Sequence, residues 1–502
     1  VAKQLFPLKF PPGFFRNGTE YETKGRWFDG TLVRWFEGAL QPLGGWQQLT
    51  DITDALVSMD QPTRGILSWK RDNGVAEVAF GSYCKAWAFS LGVLTEITPA
   101  GISCGTEHAT VVDGGAYGEG IYGAGPYGGV VSDVNNQILE AGSWSFDNFG
   151  QVLVGCPWPD NGIYDWDLNI ANDFVAVANA PTANAIVVTP ERFLVALGAD
   201  GDRRLVAWSD QNDRTTWAPL ATNQAGDFPM PGSGDILAGR RGRNETLIWT
   251  ETDIWAMRYI GGEDVYQFVQ VGANCGAMSR RTMAAMQSRH YWMGRKGFFV
   301  YDGFTRELPS EVGDYVFSDF NFIQRSKVAA VPMAEFGEVW WFYPSANSIE
   351  NNRYVVYNVN QKIWYFGVLP RTDGVDRGAT QHPIWTKPVS SASKPMEHEK
   401  GLGMDNQVPF AETGPIEIGN GDQIMTVLHI IPDDKTLGDV TGTLTFKNYP
   451  DDNGDELVVS PLSAQTDVRK TGRTVRMKVT QARNKAWRVG VIRLDVAPGG
   501  RR

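Results

Sequence analysis

The chain has 502 residues, 42% of them hydrophobic and 21% charged, with a formal net charge of −11. That balance supports a sizeable core and excludes a disordered chain. The acidic total excludes a protein that grips nucleic acid over its whole surface, because phosphate contacts dominate such affinity.

Its 56 Gly, 18 Trp, 16 Tyr and 25 Phe are the composition of many short strands joined by turns. Residues 1–62 read as an extended N-terminal arm, since Pro7, Pro11, Pro12 and Gly13 forbid a helix. Within it, Gly25 to Trp46 (GRWFDGTLVRWFEGALQPLGGW) reads as a hairpin with Asp-Gly and Glu-Gly turns. It is a candidate for closing a ring near Trp385.

From Gly65 the same pattern recurs. Stretches beginning at Gly65, Ser143, Ile186, Ile236, Met283 and Val328 each run strand, polar turn, apolar strand, then a strand rich in Trp or Tyr. A typical unit is HYWMGRKGFFVYDG (His290 to Gly303), two strands around a Gly-Arg-Lys-Gly turn. The spacing, roughly 40 to 50 residues, is that of propeller blades, each a four-stranded sheet. The expected fold is therefore all-β: a propeller of six or seven degenerate blades over 63–404, followed by a C-terminal sandwich over 405–502.

Two stretches interrupt the repeats. Asp113 to Gly129 (DGGAYGEGIYGAGPYGG) reads as a loop that presents Tyr117, Tyr122 and Tyr127 to a neighbour. Thr380 to Met404, with Pro383, Pro388 and Pro395, reads as the end of the ring and a linker. Beyond Gly414 the pattern alternates at period two, with Val475, Met477 and Val479 facing one way and Arg476 and Lys478 the other.

No chemistry-bearing motif emerges. Cys84, Cys104, Cys156 and Cys275 lack zinc-ligand spacing and read as four buried thiols. Glu397-His398-Glu399 reads as an exposed polar loop, and no metal site or cofactor is expected. There is no GxSxG, HExxH or P-loop, no apolar run long enough to span a membrane, and no signal-peptide core at the start. Glu191, Asp210 and Asp253 sit at strand ends where a propeller glycosidase would place acids. Ser209 to Trp217 is similar to the sialidase Asp-box, but Asp210, Asn212 and Arg214 depart from it.

The C-terminal strands carry Arg469, Lys470, Arg473, Arg476, Lys478 and Arg488, a basic face on an acidic chain and a candidate partner interface. Arg295-Lys296, between two turn glycines, is a candidate blade tip for contact.

Several stretches resemble bacteriophage and prophage tail proteins: FPPGFFRNGTEYETKGRWFDGTLVRWFEGALQPLGGW, APTANAIVVTPERFLVALGADGDRRLVAWSDQNDRTTWAPLATNQAGDF, YWMGRKGFFVYDG and EFGEVWWFYPSA. The closing AWRVGVIRLDV resembles the tail hub, or nozzle, of short-tailed phages. The resemblance implies a non-enzymatic virion protein, assembled in the host cytoplasm as a hexameric ring below the portal and adaptor. It also implies contacts with tail fibre or spike proteins and transient passage of duplex DNA. The alternatives are a propeller adhesin for host-surface glycans and a propeller glycoside hydrolase.

Overall fold

The computed structural model describes residues 4–112, 137–262, 264–417, 421, 423–433, 439–449, 452–459, 462, 464–483 and 485–500. The loop carrying Tyr117, Tyr122 and Tyr127 lies outside the described residues.

Seven four-stranded antiparallel sheets follow one another: blades 1 (66–96), 2 (143–176), 3 (185–229), 4 (236–272), 5 (283–308), 6 (329–368) and 7 (373–398 with 46–48). The first strands pack side by side around most of the ring, blades 4 and 5 share a core that includes Trp249, Ile254, Met283 and Trp292, and the first strand of blade 7 packs against that of blade 1. This is a closed β-propeller of seven blades. Each blade buries both faces against its neighbours, which explains strands as fully apolar as Leu194–Leu197 and Glu338–Tyr343.

The HYWMGRKGFFVYDG unit supplies the second and third strands of blade 5. Trp292 meets Trp249 of blade 4 edge-on at 5.7 Å, and Phe298 packs on Trp341 of blade 6 at 5.1 Å. Each such aromatic contributes on the order of 1.5–3 kcal/mol by burial.

The ring closes differently from the sequence expectation. The outer strand of blade 7 is Trp46–Gln48, paired with Met396–His398. The preceding hairpin does not join the blade: Trp27–Thr31 pairs with Phe410–Thr413, and Val33–Phe36 pairs with Ala39–Pro42. Gly44 and Gly45 permit the switch, because a Cβ on Gly45 would lie 2.5 Å from the Gly403 backbone.

Residues 380–404 end the ring as expected, but they carry blade strands where a linker was also expected. Ile384–Val389 and Ala392–His398 are the second and third strands of blade 7. Pro395 is tolerated because it lies just beyond the three-residue closing strand and supplies its carbonyl to Leu49 N (2.9 Å).

Nor is the N-terminal arm free. Gln4–Leu8 pairs with Ile492–Pro498 in a sheet that includes Met425–Ile431 and Thr466–Gly472. Trp27–Thr31 extends a second sheet built from Phe410–Thr413, Thr474–Gln481, Val440–Lys447 and Asp455–Val459. Together they form a sandwich whose core includes Val427, Ile430, Leu444, Val475, Met477, Val479 and Leu494, all buried. Both ends of the described chain are thus woven into one unit against blades 6 and 7. Four buried thiols are not found either: Cys84 and Cys104 are disulfide-bonded, and Cys156 and Cys275 are free and buried. The pairing follows from Gly105 N donating to Tyr83 O, which lays residues 101–105 along the turn of blade 1.

Candidate functional site

The propeller axis is nearly sealed. A cavity of about 90 Å³ lies where the first strands begin, lined by Ser143, Asn184, Arg240, Arg280, Arg281 and Asp373 among others. A duplex cannot enter it, since its major groove alone is about 12 Å wide.

One end is capped by two insertions. The hairpin Thr110–Val112/Gln137–Leu139 leaves between blades 1 and 2, and a 3₁₀ turn, Phe322–Lys327, precedes blade 6. Gln324 ties them: its amide accepts from Ala109 N (3.1 Å) and donates to Ala109 O (2.7 Å). Ser326 Oγ accepts from Ala141 N.

Beneath the cap lies a buried charge cluster. Arg64 donates two hydrogen bonds to Glu350, at 2.8 and 2.5 Å. Lys327 Nζ lies 2.6 Å from His108 Nδ1 and 3.6 Å from Glu350. Burial alone would raise the Glu350 carboxyl, yet Arg64 and Lys327 hold it at about 2. Burial, reinforced by Arg64, lowers the Lys327 ammonium to about 7.

This cluster escapes motif reading, but a periodic signal carries it. Arg64, Arg281, Lys327 and Arg371 each stand two residues before the first strand of a blade. That position also ties neighbours together: Arg64 O accepts from Trp144 N of blade 2, and Arg281 O from Ala330 N of blade 6.

A second cluster welds hairpin to propeller. Arg34 Nε lies 3.1 Å from Glu338 Oε1, and Arg34 Nη2 lies 2.8 Å from Glu399 Oε1. Trp340 Nε1 and the Tyr365 hydroxyl also donate to Glu338. Burial opposes the Arg34 charge, but Glu338 and Glu399 outweigh it and raise its pKa. His398, expected in an exposed loop, is buried instead. It stacks on Trp385 at 4.0 Å and receives Arg371 Nε at 2.9 Å, because it ends a blade strand.

The basic C-terminal residues do not form one open face. Arg476 is held by Glu20 and Glu412. Lys478 lies over the Phe410 ring at 4.1 Å, and Arg473 over Tyr449 at 5.3 Å. Arg469 and Lys470 sit on a different strand and reach Asp467 and Asp455. Arg488 borders a cleft with Trp487, Asp439 and Phe336 between sandwich and hairpin. At the blade tip, Arg295 and Lys296 are exposed, and Arg295 reaches Glu251 of blade 4 at 3.1 Å.

The acids considered for glycoside chemistry do not converge. Glu191 and Asp210 belong to adjoining turns of blade 3, where Gln211 Nε2 donates to Glu191 O. Asp253 lies in the turn between Thr246–Thr250 and Ile254–Tyr259 of blade 4, accepting from Thr252. None of the three lines the axial cavity. Asp213 accepts from Thr215 and Thr216 within the Ser209–Trp217 turn, and Arg214 ties that turn to Asp165 of blade 2. Among the described residues no group of three or more His, Cys, Asp or Glu is placed to hold a metal, and no helix is long and apolar enough to cross a membrane.

No family model matches the chain, and no curated protein matches its sequence. Among solved structures it is similar to the β-propeller domain of Cps50 (Swd1) from Myceliophteria thermophila, at 8% identity and TM-score 0.41, covering 68% of this chain and 98% of that one. It is also similar to the N-terminal domain of Nup159, at 10% identity and TM-score 0.34, covering 70% and 95%. A third is an exo-β-1,3-galactanase from Phanerochaete chrysosporium, at 10% identity and TM-score 0.30, covering 90% and 99%. The propeller assignment rests on the strand pairing rather than on these likenesses.

Proposed function

We propose that the chain is a structural subunit of a bacteriophage tail, a nozzle or hub ring below the portal and adaptor that retains the genome and conducts it during ejection. The observation that carries this reading is a propeller whose axis holds only a cavity of about 90 Å³ and which is welded to a sandwich that contains both ends of the described chain. Such a body leaves only short strand edges open. Any duplex path then runs between copies, through the centre of a ring of subunits, and never through one propeller. Cyclic symmetry lets a single interface serve every copy, and a net charge of −11 limits adhesion of passing DNA.

A surface for such contacts is at hand. Ile52, Leu56, Leu91 and Val93 are exposed apolar residues gathered where the 51–56 loop lies on the 90–93 turn, with Ile52 N donating to Gly92 O. Exposed Arg469, half-buried Lys470 and the exposed Arg295-Lys296 tip are basic groups for docking acidic surfaces of an adaptor, fibre or spike. The test is the mass of the chain alone and mixed with a short-tailed phage portal–adaptor complex. A discrete multimer, hexameric by the resemblance, is expected on the complex. A chain that stays monomeric at every concentration, portal–adaptor present, overturns the reading.

A further inference from the structure

Three arginines converge on the axial cavity with one carboxylate among its lining residues. Arg281 Nη1 lies 2.8 Å from Asp373 Oδ2, which commits Asp373. Arg280 stacks on Trp158 at 4.1 Å and donates to the carbonyls of Asn184 (3.3 Å) and Leu237 (3.5 Å). Glu140 stands 3.8 Å from Arg280 and is shared with Arg325. Among the described residues the Arg240 guanidinium makes one hydrogen bond, to the carbonyl of its neighbour Gly239. Asp147, the acid whose charge acts most on Arg240, is taken by Arg241 and by Val188 N. The Nε atoms of Arg280 and Arg281 are buried with no hydrogen-bond partner among the described residues.

We propose that this pit binds one small oxyanion of the phosphate or sulfate class, held by Arg240, Arg280 and Arg281. Cationic groups taken out of water without counter-charge are unfavourable, and an oxyanion restores both charge and hydrogen bonds. Burial lowers the pKa of all three arginines, which is the direction uncompensated desolvation produces. The cavity is about 90 Å³, against about 30 Å³ for one water in the liquid. That leaves room for a tetrahedral ion. The site is independent of any role in a ring.

The experiment follows thermal unfolding and calorimetric binding of the full chain with inorganic phosphate, against sodium chloride at equal ionic strength. Phosphate is expected to raise the melting temperature saturably and to bind one per chain, and chloride is not. Arg240→Gln is expected to weaken phosphate binding at least tenfold. In chloride it should melt no lower than the parent, since it removes a half-buried cation whose guanidinium bonds only the Gly239 carbonyl among the described residues; a purely structural arginine would lower it. Asp373→Asn, which keeps the oxygen that accepts from Gly374 N, is expected to tighten phosphate severalfold. The proposal is overturned by equal effects of phosphate and chloride, by Arg240→Gln binding phosphate within twofold of the parent, or by Asp373→Asn leaving affinity unchanged. Competition of phosphate by a short single-stranded oligonucleotide would assign the site to nucleic-acid backbone and overturn it too.

Discussion

Arg34, on the hairpin strand Val33–Phe36, and Glu338, at the start of a blade 6 strand, form a closed ion pair of 3.1 Å with both side chains shut from solvent. They are far apart in sequence, and the pair fixes the sandwich-bearing hairpin to the propeller. Removing one partner strands the other. Glu338→Gln should destabilise the chain by about 3–5 kcal/mol, whereas Arg34→Met with Glu338→Leu should cost less than the single change. Urea unfolding of the two variants checks the order.

Acid should unfold the chain in two stages. Burial, then the nearby Arg240 charge, lowers the His290 imidazole from 6.5 to about 4. Between those pH values the unfolded chain takes up a proton that the folded one refuses, so stability falls as pH drops through that window. The size is about 3 kcal/mol. Glu350, held at about 2 against an ordinary 4.5, contributes stability present above pH 4.5 and lost as pH falls towards 2. His290→Phe should flatten the first stage and leave the second, as read from melting temperature against pH.

Above neutrality the slope continues for another reason. Lys327, lowered to about 7 from 10.5, carries its full penalty below pH 7 and is relieved as pH rises towards 10.5. Lys327→Met should raise stability at pH 6 relative to the parent and converge with it near pH 10. An unchanged difference across that range would show that the ammonium is not what the cluster penalises.

The disulfide has a direct readout. In oxidised, denatured chain two thiols, Cys156 and Cys275, should react with a thiol reagent, and reduction should expose Cys84 and Cys104 as well. Closing a loop of 20 residues stabilises by about 3 kcal/mol, so reduction should lower the melting temperature by several degrees.

The basic residues separate into two kinds. Arg476→Glu should destabilise the sandwich, because it faces Glu20 and Glu412. Arg469→Glu with Lys470→Glu should leave the melting temperature within about a degree, since exposed pairs contribute little, and should weaken assembly on an acidic partner. Assembly that proceeds unchanged in the double variant would remove that strand from the docking surface.

Local pattern determined much of this protein. Repeats beginning at Gly65, Ser143, Ile186, Ile236, Met283 and Val328 each became a blade, because apolar strands between turn residues admit few other partners. The period-two alternation of Val475, Met477 and Val479 likewise specified the sandwich face that is buried. Tertiary structure alone decided which strand closes the ring, since Trp46–Gln48 is too short to announce itself and pairs with Met396–His398 from the far end of the propeller. It also turned Thr380–Met404 from apparent linker into blade, because prolines weaken a strand signal without preventing pairing where only a carbonyl is needed. The arginines of the axial pit and the Arg34–Glu338 weld come from distant segments, and closure of the ring brings them together. Side-chain alternation is a local property that sequence displays; convergence of charges is a property of the closed ring.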